Sequence, residues 1–122
     1  MRFMTMVKSA ETNGPPPQAL IDAMADFMTE AVQAGQLVDS GGLAPTAAGG
    51  RVRITNGKIT VLDGPFAEAK EVVGGYAVLE LESKAEAMQV ARRFMELHRQ
   101  HWPGWEGESE IRQIFGPSDF PK

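Results

Sequence analysis

Cysteine is absent from this sequence of 122 residues, and other marks of specialised proteins are missing as well. Without cysteine the chain forms no disulfide, iron–sulfur cluster, thiolate zinc site or cysteine nucleophile. The formal net charge of −4 lacks the basic excess that nucleic-acid binding usually requires, so we predict no nucleic-acid partner. No apolar run approaches the ~20 residues of a membrane span, and "MRFMTMVKSAE" lacks the apolar region of a signal peptide. We therefore expect a cytoplasmic protein without membrane contact.

Motifs for catalysis and cofactor binding are missing too. The sequence has no Walker loop, nucleophile elbow or dinucleotide fingerprint, since "GGLAPTAAGG" lacks the strand and helix that such glycines need. The two histidines, His98 and His101, have the spacing of a helical metal pair, but Pro103 ends that helix nearby and no acidic ligand has a suitable offset. We interpret both as structural or surface residues and predict neither a metal nor a cofactor.

Composition predicts a single globular domain over residues 1–122. With 43% hydrophobic and 23% charged residues, a chain of this length buries a real core without disulfides or a structural metal. Two regions follow helical spacing. The first opens at Pro17, carries apolar residues at every third or fourth position, and ends before Gly35, a suitable left-handed residue. The second opens at a capping box formed by Ser83 and Glu86.

The remaining regular segments read as strands. Residues 2–8 form the first, "QLVDSGGLAP" holds a short second one, and "SEIRQIF" forms the last. A hairpin is predicted in "RVRITNGKITVL", because Asn56 and Gly57 favour the positive φ angles of a tight turn. Residues 71–82 form the longest strand. The order of elements is therefore β-α-β-(ββ)-β-α-β.

This order favours a ferredoxin-like α+β fold, in which two helices cover one face of an antiparallel sheet. The opposite face is then uncovered. The simplest remedy is a homodimer whose two sheets pack together, since two-fold dimers are the commonest assembly.

The segment "DGPFAEAKEVVGGYAVLELES", with the helix after it, resembles the signature region of the YCII-related, or DGPF-domain, family. The resemblance continues, in the expected order, through "PPQALIDAMADFMTEAVQAGQLVDSGGLAP", "GRVRITNGKITVLDG" and "HWPGWEGESEIRQIFGPSDF". It implies a ferredoxin-like fold that dimerises into an α/β barrel with a cavity between sheet and helices. Some relatives are proposed to use a histidine–aspartate pair, whereas no histidine precedes His98 here.

Three functions are compatible with this resemblance, which implies little chemistry. Members are known chiefly by fold and by genes near, or fused to, extracytoplasmic-function sigma factors. We therefore favour a small dimeric binding or accessory protein, with a small-molecule ligand or a sigma factor as its partner. The alternative is a small-molecule enzyme, because related dimeric barrels include isomerases and cofactor-independent monooxygenases. The third reading is a structural dimer without a ligand.

The segment from Asp63 to Tyr76 is where we expect a site. Asp63 is predicted as a polar anchor or general base, although an Asx turn to the N–H of Phe66 or Ala67 explains it as well. Phe66 is either a wall of the cavity or a plug of the core or dimer interface. Lys70 is either a solvated charge or a partner for Asp63 or an anionic ligand.

Two adjacent glycines, Gly74 and Gly75, predict a bulge in the long strand. Bulges re-aim neighbouring side chains and are frequent near functional sites, so Tyr76 is a candidate hydrogen-bond donor and the second catalytic candidate. The predicted ligand-binding set is therefore Asp63, Phe66, Lys70 and Tyr76.

Overall fold

The computed structural model describes residues 1–120 and contains one four-stranded sheet, one separate hairpin and two long helices. The elements are, in chain order, β1 (Arg2–Ser9), α1 (Gln18–Gln33), β2 (Leu37–Gly42), β3 (Gly50–Thr55), β4 (Lys58–Asp63), β5 (Val72–Glu80), α2 (Lys84–His101) and β6 (Gly107–Gln113). Short 3-10 turns occupy Glu11–Asn13, Thr46–Ala48 and Pro117–Asp119. Neither helix is long and apolar enough to cross a membrane within these residues.

The main sheet has the order β2-β5-β1-β6, and every neighbouring pair is antiparallel. This is the order of a ferredoxin-like sheet, with the β3–β4 hairpin inserted between its second and third strands. The predicted α+β class and the ferredoxin-like arrangement are therefore confirmed.

Both helices pack on one face of this sheet. Alternate residues of the two central strands point toward them, including Phe3, Ala77 and Leu79, which are almost fully buried. They pack with Ala87 and Val90 of α2 in the main hydrophobic cluster. The core therefore lies between the sheet and α2. Helix α1 packs against α2 and also contacts β2 at the edge of the sheet.

Local chemistry explains where the helices start and stop. Pro17 is the N-cap of α1, so the helix begins at Gln18, one residue later than expected. Gly35 follows the helix with a left-handed φ of 72°. The Ser83 hydroxyl accepts the Glu86 N–H at the start of α2. The Glu86 carboxylate accepts the N–H of Glu82, one residue earlier than a standard capping box requires.

The predicted hairpin and bulge are both present. Asn56 and Gly57 form the turn between β3 and β4 with φ angles of 53° and 77°. In β5 the register against β1 shifts by one residue, so that Gly74 is the extra residue of a bulge. The bulge lies immediately before Tyr76.

Candidate functional site

A large cavity lies between the two helices and the main sheet. Its volume is about 770 Å³, and most of its wall is apolar. Residues of β1, β2, β5, α1 and α2 form the wall, together with the loops after β1 and β2 and the segment between α2 and β6. Native interiors contain few voids larger than a water molecule, so a space of this size is not ordinary packing.

Aromatic rings form a continuous row along the helical side of the cavity. Phe27 of α1 contacts Phe94 of α2 with ring centroids 5.4 Å apart, and Phe94 contacts His98 at 5.1 Å. The row continues from His98 to Trp105 at 4.6 Å and from Trp105 to Trp102 at 5.9 Å. All five residues line the cavity. We call this set the aromatic row.

His98 is the polar member of the aromatic row and is only 5% exposed. Its Nδ1 lies 2.9 Å from the carbonyl oxygen of Phe94, one helical turn earlier. Because a carbonyl oxygen only accepts, Nδ1 carries the proton, and in the neutral ring Nε2 carries a lone pair. Burial lowers the pKa of His98 below its ordinary value near 6.5, and the carbonyl of Phe94 offsets only part of this effect. The neutral ring is therefore the resting form at pH 7.

This lowered pKa makes the stability of the fold depend on pH. The unfolded chain binds a proton on His98 more readily than the folded chain, so the unfolding free energy falls as the pH drops below about 6.5. We expect a loss of stability between pH 7.5 and pH 5 that is clearly smaller in His98→Phe. Denaturant unfolding across this range measures it. Equal losses in the two proteins would show that His98 does not carry the effect.

A hydrogen-bonded bridge holds the mouth of the cavity. The Glu11 carboxylate accepts the backbone N–H of Thr46 at 2.7 Å and the Thr46 hydroxyl at 2.6 Å. The same hydroxyl accepts the N–H of Phe66 at 3.2 Å. Glu11 and Thr46 both line the cavity, whereas Phe66 lies behind them. The loop after β4 thus supports the cavity mouth and does not form its wall.

The segment from Asp63 to Phe66 is held by close backbone approach. The Gly64 N–H donates to the Gly49 carbonyl at 2.9 Å, and a Cβ at Gly64 would overlap the carbonyl oxygen of Thr46. The Gly64–Pro65 peptide bond is cis. Only glycine fits this position, because any side chain would push the turn at Thr46–Ala48 away from the loop.

The change Gly64→Ala should therefore destabilise the protein by roughly 2–3 kcal/mol, since the new methyl group meets backbone that cannot move independently. Chemical denaturation measures this loss. Gly42→Ala is the matched control, because a Cβ there meets nothing within 4 Å, and it should be nearly neutral. Equal stability of the two variants would contradict the close approach at Gly64.

Of the four residues predicted to bind a ligand, Tyr76 alone is among the residues that line the cavity. Tyr76 lies along the cavity, but alternation from the buried Ala77 turns its side chain toward the other face, where the ring packs over Gly41 and the hydroxyl lies 3.4 Å from Asp39 Oδ2. Asp63 is exposed at the end of β4 and lies outside the cavity wall.

Phe66 and Lys70 also lie outside the cavity wall. The Phe66 ring is covered by the guanidinium of Arg51 at 3.8 Å, and Arg51 also pairs with Glu68 at 2.6 Å. Lys70 is exposed, and no ion pair joins it to Asp63 in the described part of the chain. Since Phe66 N–H donates to Thr46, the Asx turn predicted from Asp63 to that N–H is wrong.

Sequence reasoning missed the residues that build the cavity. His98 was interpreted as a structural or surface residue, and Trp102, Trp105, Glu11 and Thr46 were not predicted as site residues. The two tryptophans flanking Pro103 in "HWPGW" were the one visible hint, since they follow a helix that also carries His98. No three histidine, aspartate or glutamate side chains of residues 1–120 come close enough together to hold a metal ion.

Two apolar surfaces face away from the core. The first, the open sheet face, consists of Met4, Met6, Tyr76 and Val78 on the side of the sheet opposite the helices. All four are half-buried. Oppositely charged pairs flank them, Arg2 with Glu80 and Lys8 with Glu110.

The second surface is the hairpin face, formed by Val52, Ile54, Ile59 and Val61. These residues pair across β3 and β4 and are 67–75% exposed, while the other face of the hairpin carries Arg51 and Arg53. Such an exposed apolar face is unusual, because contiguous apolar patches on a protein surface commonly mark interaction sites. A two-stranded hairpin is also only marginally stable in water by itself.

The fold and the cavity define a class of protein: a small ferredoxin-like domain with a mainly apolar cavity between its helices and its sheet. Within this class the chain belongs to the YCII-related family, whose domain model matches residues 1–97. The matched region ends one residue before His98. The chain is also similar to an uncharacterised protein of Rhizobium meliloti (strain 1021), with 41% identity over 61 residues. These residues make up 50% of this chain and 49% of that relative, so the match spans about half the length of each.

Proposed function

We propose that this chain is a homodimeric binding protein for a small, mainly apolar molecule that occupies the cavity between the helices and the sheet. The cavity is the observation that carries the proposal. Its volume of about 770 Å³ lies within the range of 300–1,000 Å³ that is typical of small-molecule sites. An apolar wall with a few polar groups, here His98, Glu11 and Thr46, is the usual composition of such sites.

Retention of a ligand by the purified protein tests this function. The chain is incubated with a small-molecule extract of cells and examined by native mass spectrometry. We expect the protein to retain an added mass of a few hundred daltons at most, and to lose it when the cavity is blocked. Protein that emerges bare from several independent extracts would favour the structural dimer without a ligand.

The dimer is supported by the open sheet face. No helix of residues 1–120 covers its apolar centre of Met4, Met6 and Val78, and its rim carries charges of both signs. Lys8 lowers the pKa of the Glu110 carboxyl, and Glu110 raises the pKa of Lys8, so these two remain charged at neutral pH. A two-fold axis through such a face brings apolar centres together and lets opposite charges meet.

An enzyme acting in the same cavity is the alternative function, and the open lone pair of His98 favours it. A neutral imidazole in an apolar cavity can remove a proton from a carbon atom and return it to another, which is an isomerisation without a cofactor. The predicted catalytic candidates fit this less well, since Asp63 lies outside the cavity. Turnover of a retained ligand by the wild type, but not by His98→Phe, would identify an enzyme.

The association with a sigma factor and the cytoplasmic location remain predictions of the family resemblance and of composition. An acidic protein permits a sigma-factor partner without indicating one. Co-purification with a sigma factor at physiological salt, abolished by changes on an exposed surface, would support the accessory role.

A further inference from the structure

We infer that the cavity selects aromatic molecules carrying a hydroxyl or N–H group, which donates to Nε2 of His98 while the ring packs against the aromatic row. This inference rests on the proposed binding function and deepens it by naming the class of ligand. It assigns His98 a direct contact with the bound molecule.

The first support is the position of Nε2. Nε2 has no hydrogen-bond partner among residues 1–120. Every fully buried side-chain nitrogen or oxygen in that range has a partner, so Nε2 is not fully buried. Nε2 is therefore open to space, and the space that His98 lines is the cavity. An unpaired acceptor on a residue that lines a mainly apolar cavity can accept a hydrogen bond from a ligand.

The second support is the fixed state of the ring. The carbonyl of Phe94 holds the proton on Nδ1, and rotation of the imidazole by 180° would replace this N–H with a C–H and lose the hydrogen bond. Contacts with Phe94 and Trp105 on either side further restrict the ring. His98 therefore offers an acceptor and no donor to the cavity while it is neutral.

The third support is the concentration of aromatic residues in the wall. Four of the eight phenylalanine and tryptophan residues of the chain line the cavity. Rings in tilted and stacked arrangements, as between Trp102 and Trp105, present faces and edges that pack well against another flat ring. Aliphatic side chains alone would be enough to bind an apolar ligand. The presence of aromatic rings in the wall therefore favours a ligand that is itself aromatic.

The other charged groups of the cavity reinforce this choice. Among the described residues, Glu11 and His98 are the ionisable lining residues whose side chains face the cavity, since the side chain of Tyr76 points to the other face of the sheet. The Glu11 carboxylate at the mouth repels anions, and neutral His98 gives them no compensating charge. Neutral aromatic alcohols and amines are thus preferred over aromatic carboxylates.

Three matched probes test the inference by isothermal titration calorimetry at pH 7.5: 2-naphthol, 2-methoxynaphthalene and 2-naphthoate. They share one ring system and differ in having a donor, lacking it, or carrying a negative charge. We expect 2-naphthol to bind about tenfold more tightly than 2-methoxynaphthalene, and 2-naphthoate to bind most weakly. In His98→Phe, which keeps an aromatic ring in the row, the first two probes should bind equally.

The pH dependence of the wild type gives a second test if His98→Phe does not fold. Protonated His98 presents a donor at Nε2, so the preference for 2-naphthol should disappear well below the pKa of His98. Tyr76→Phe is the control and should keep the preference at pH 7.5.

Each outcome has one meaning. Equal binding of 2-naphthol and 2-methoxynaphthalene to the wild type overturns the inference and leaves the binding function standing. A preference that persists in His98→Phe, and in the wild type at acid pH, also overturns it. Failure of all three probes to bind overturns the inference, while the retained mass in native spectrometry still decides the binding function separately.

Discussion

Replacing Ala91 with phenylalanine should weaken ligand binding at least tenfold while the protein still folds. Ala91 lies on α2, is 6% exposed and lines the cavity, but it is not part of the main hydrophobic cluster. A phenylalanine there adds volume beside the cavity, so we expect the variant to fold with a loss of about 1–3 kcal/mol from overpacking. A ligand that fills the cavity should lose at least tenfold in affinity, measured by calorimetry with 2-naphthol or with the retained molecule.

Ala85→Phe is the matched control for this change. Ala85 lies on the same helix but is exposed and outside the cavity wall. It should bind the ligand as the wild type does. Undiminished binding in Ala91→Phe, with circular dichroism showing a folded protein, would mean that the ligand binds elsewhere.

The second large effect is expected at the open sheet face, where Val78→Lys should convert a dimer into a monomer. Val78 is paired with Met4 at the centre of this face and points away from the core, so a lysine is solvated in a single chain. In a dimer of packed sheets the two-fold axis buries two unpaired ammonium groups, which should raise the dissociation constant roughly a thousandfold. Sedimentation velocity should show the wild type at twice the 13.2 kDa of one chain.

Two further variants locate the interface. Val32→Lys makes the same change on α1, where the side chain is already 60% exposed, and should leave the dimer intact. Val52→Lys tests whether the hairpin face is also part of the dimer interface. A wild type that sediments as a monomer, or a Val78→Lys variant that remains a dimer, would contradict packing through the open sheet face.

The fold could be predicted because its signals are local. The turn at Asn56 and Gly57, the left-handed Gly35 and the cap at Ser83 each act on neighbouring backbone, and each is visible in the sequence. The bulge at Gly74 belongs to the same group. Together with periodicity they determine the element order, which leaves few topologies to consider.

The site could not be predicted in the same way, because its residues are distant in sequence. Phe27 and Phe94 meet only when α1 packs on α2, and Trp105 reaches His98 only after the chain has turned at Pro103. The role of Gly64 shows the same limit. Glycine is required there because of the Thr46 carbonyl, which lies 18 positions earlier in the chain.

The binding role of His98 could not be predicted from the sequence either. A histidine on the apolar side of a helix commonly bonds a preceding carbonyl, and His98 does so. What the sequence does not show is the empty space beside Nε2, which depends on how far the sheet stands from both helices. The structural and the binding roles of this residue are therefore compatible.

The most direct measurement is a methyl NMR spectrum of the protein labelled at its methionines, recorded during titration with 2-naphthol. Met24 and Met28 of α1 line the cavity, Met4 and Met6 lie on the open sheet face, and Met88 is exposed on α2. We expect saturable shifts at Met24 and Met28 and none at Met88. Shifts confined to Met4 and Met6, or no shift at any methionine, would contradict binding in the cavity.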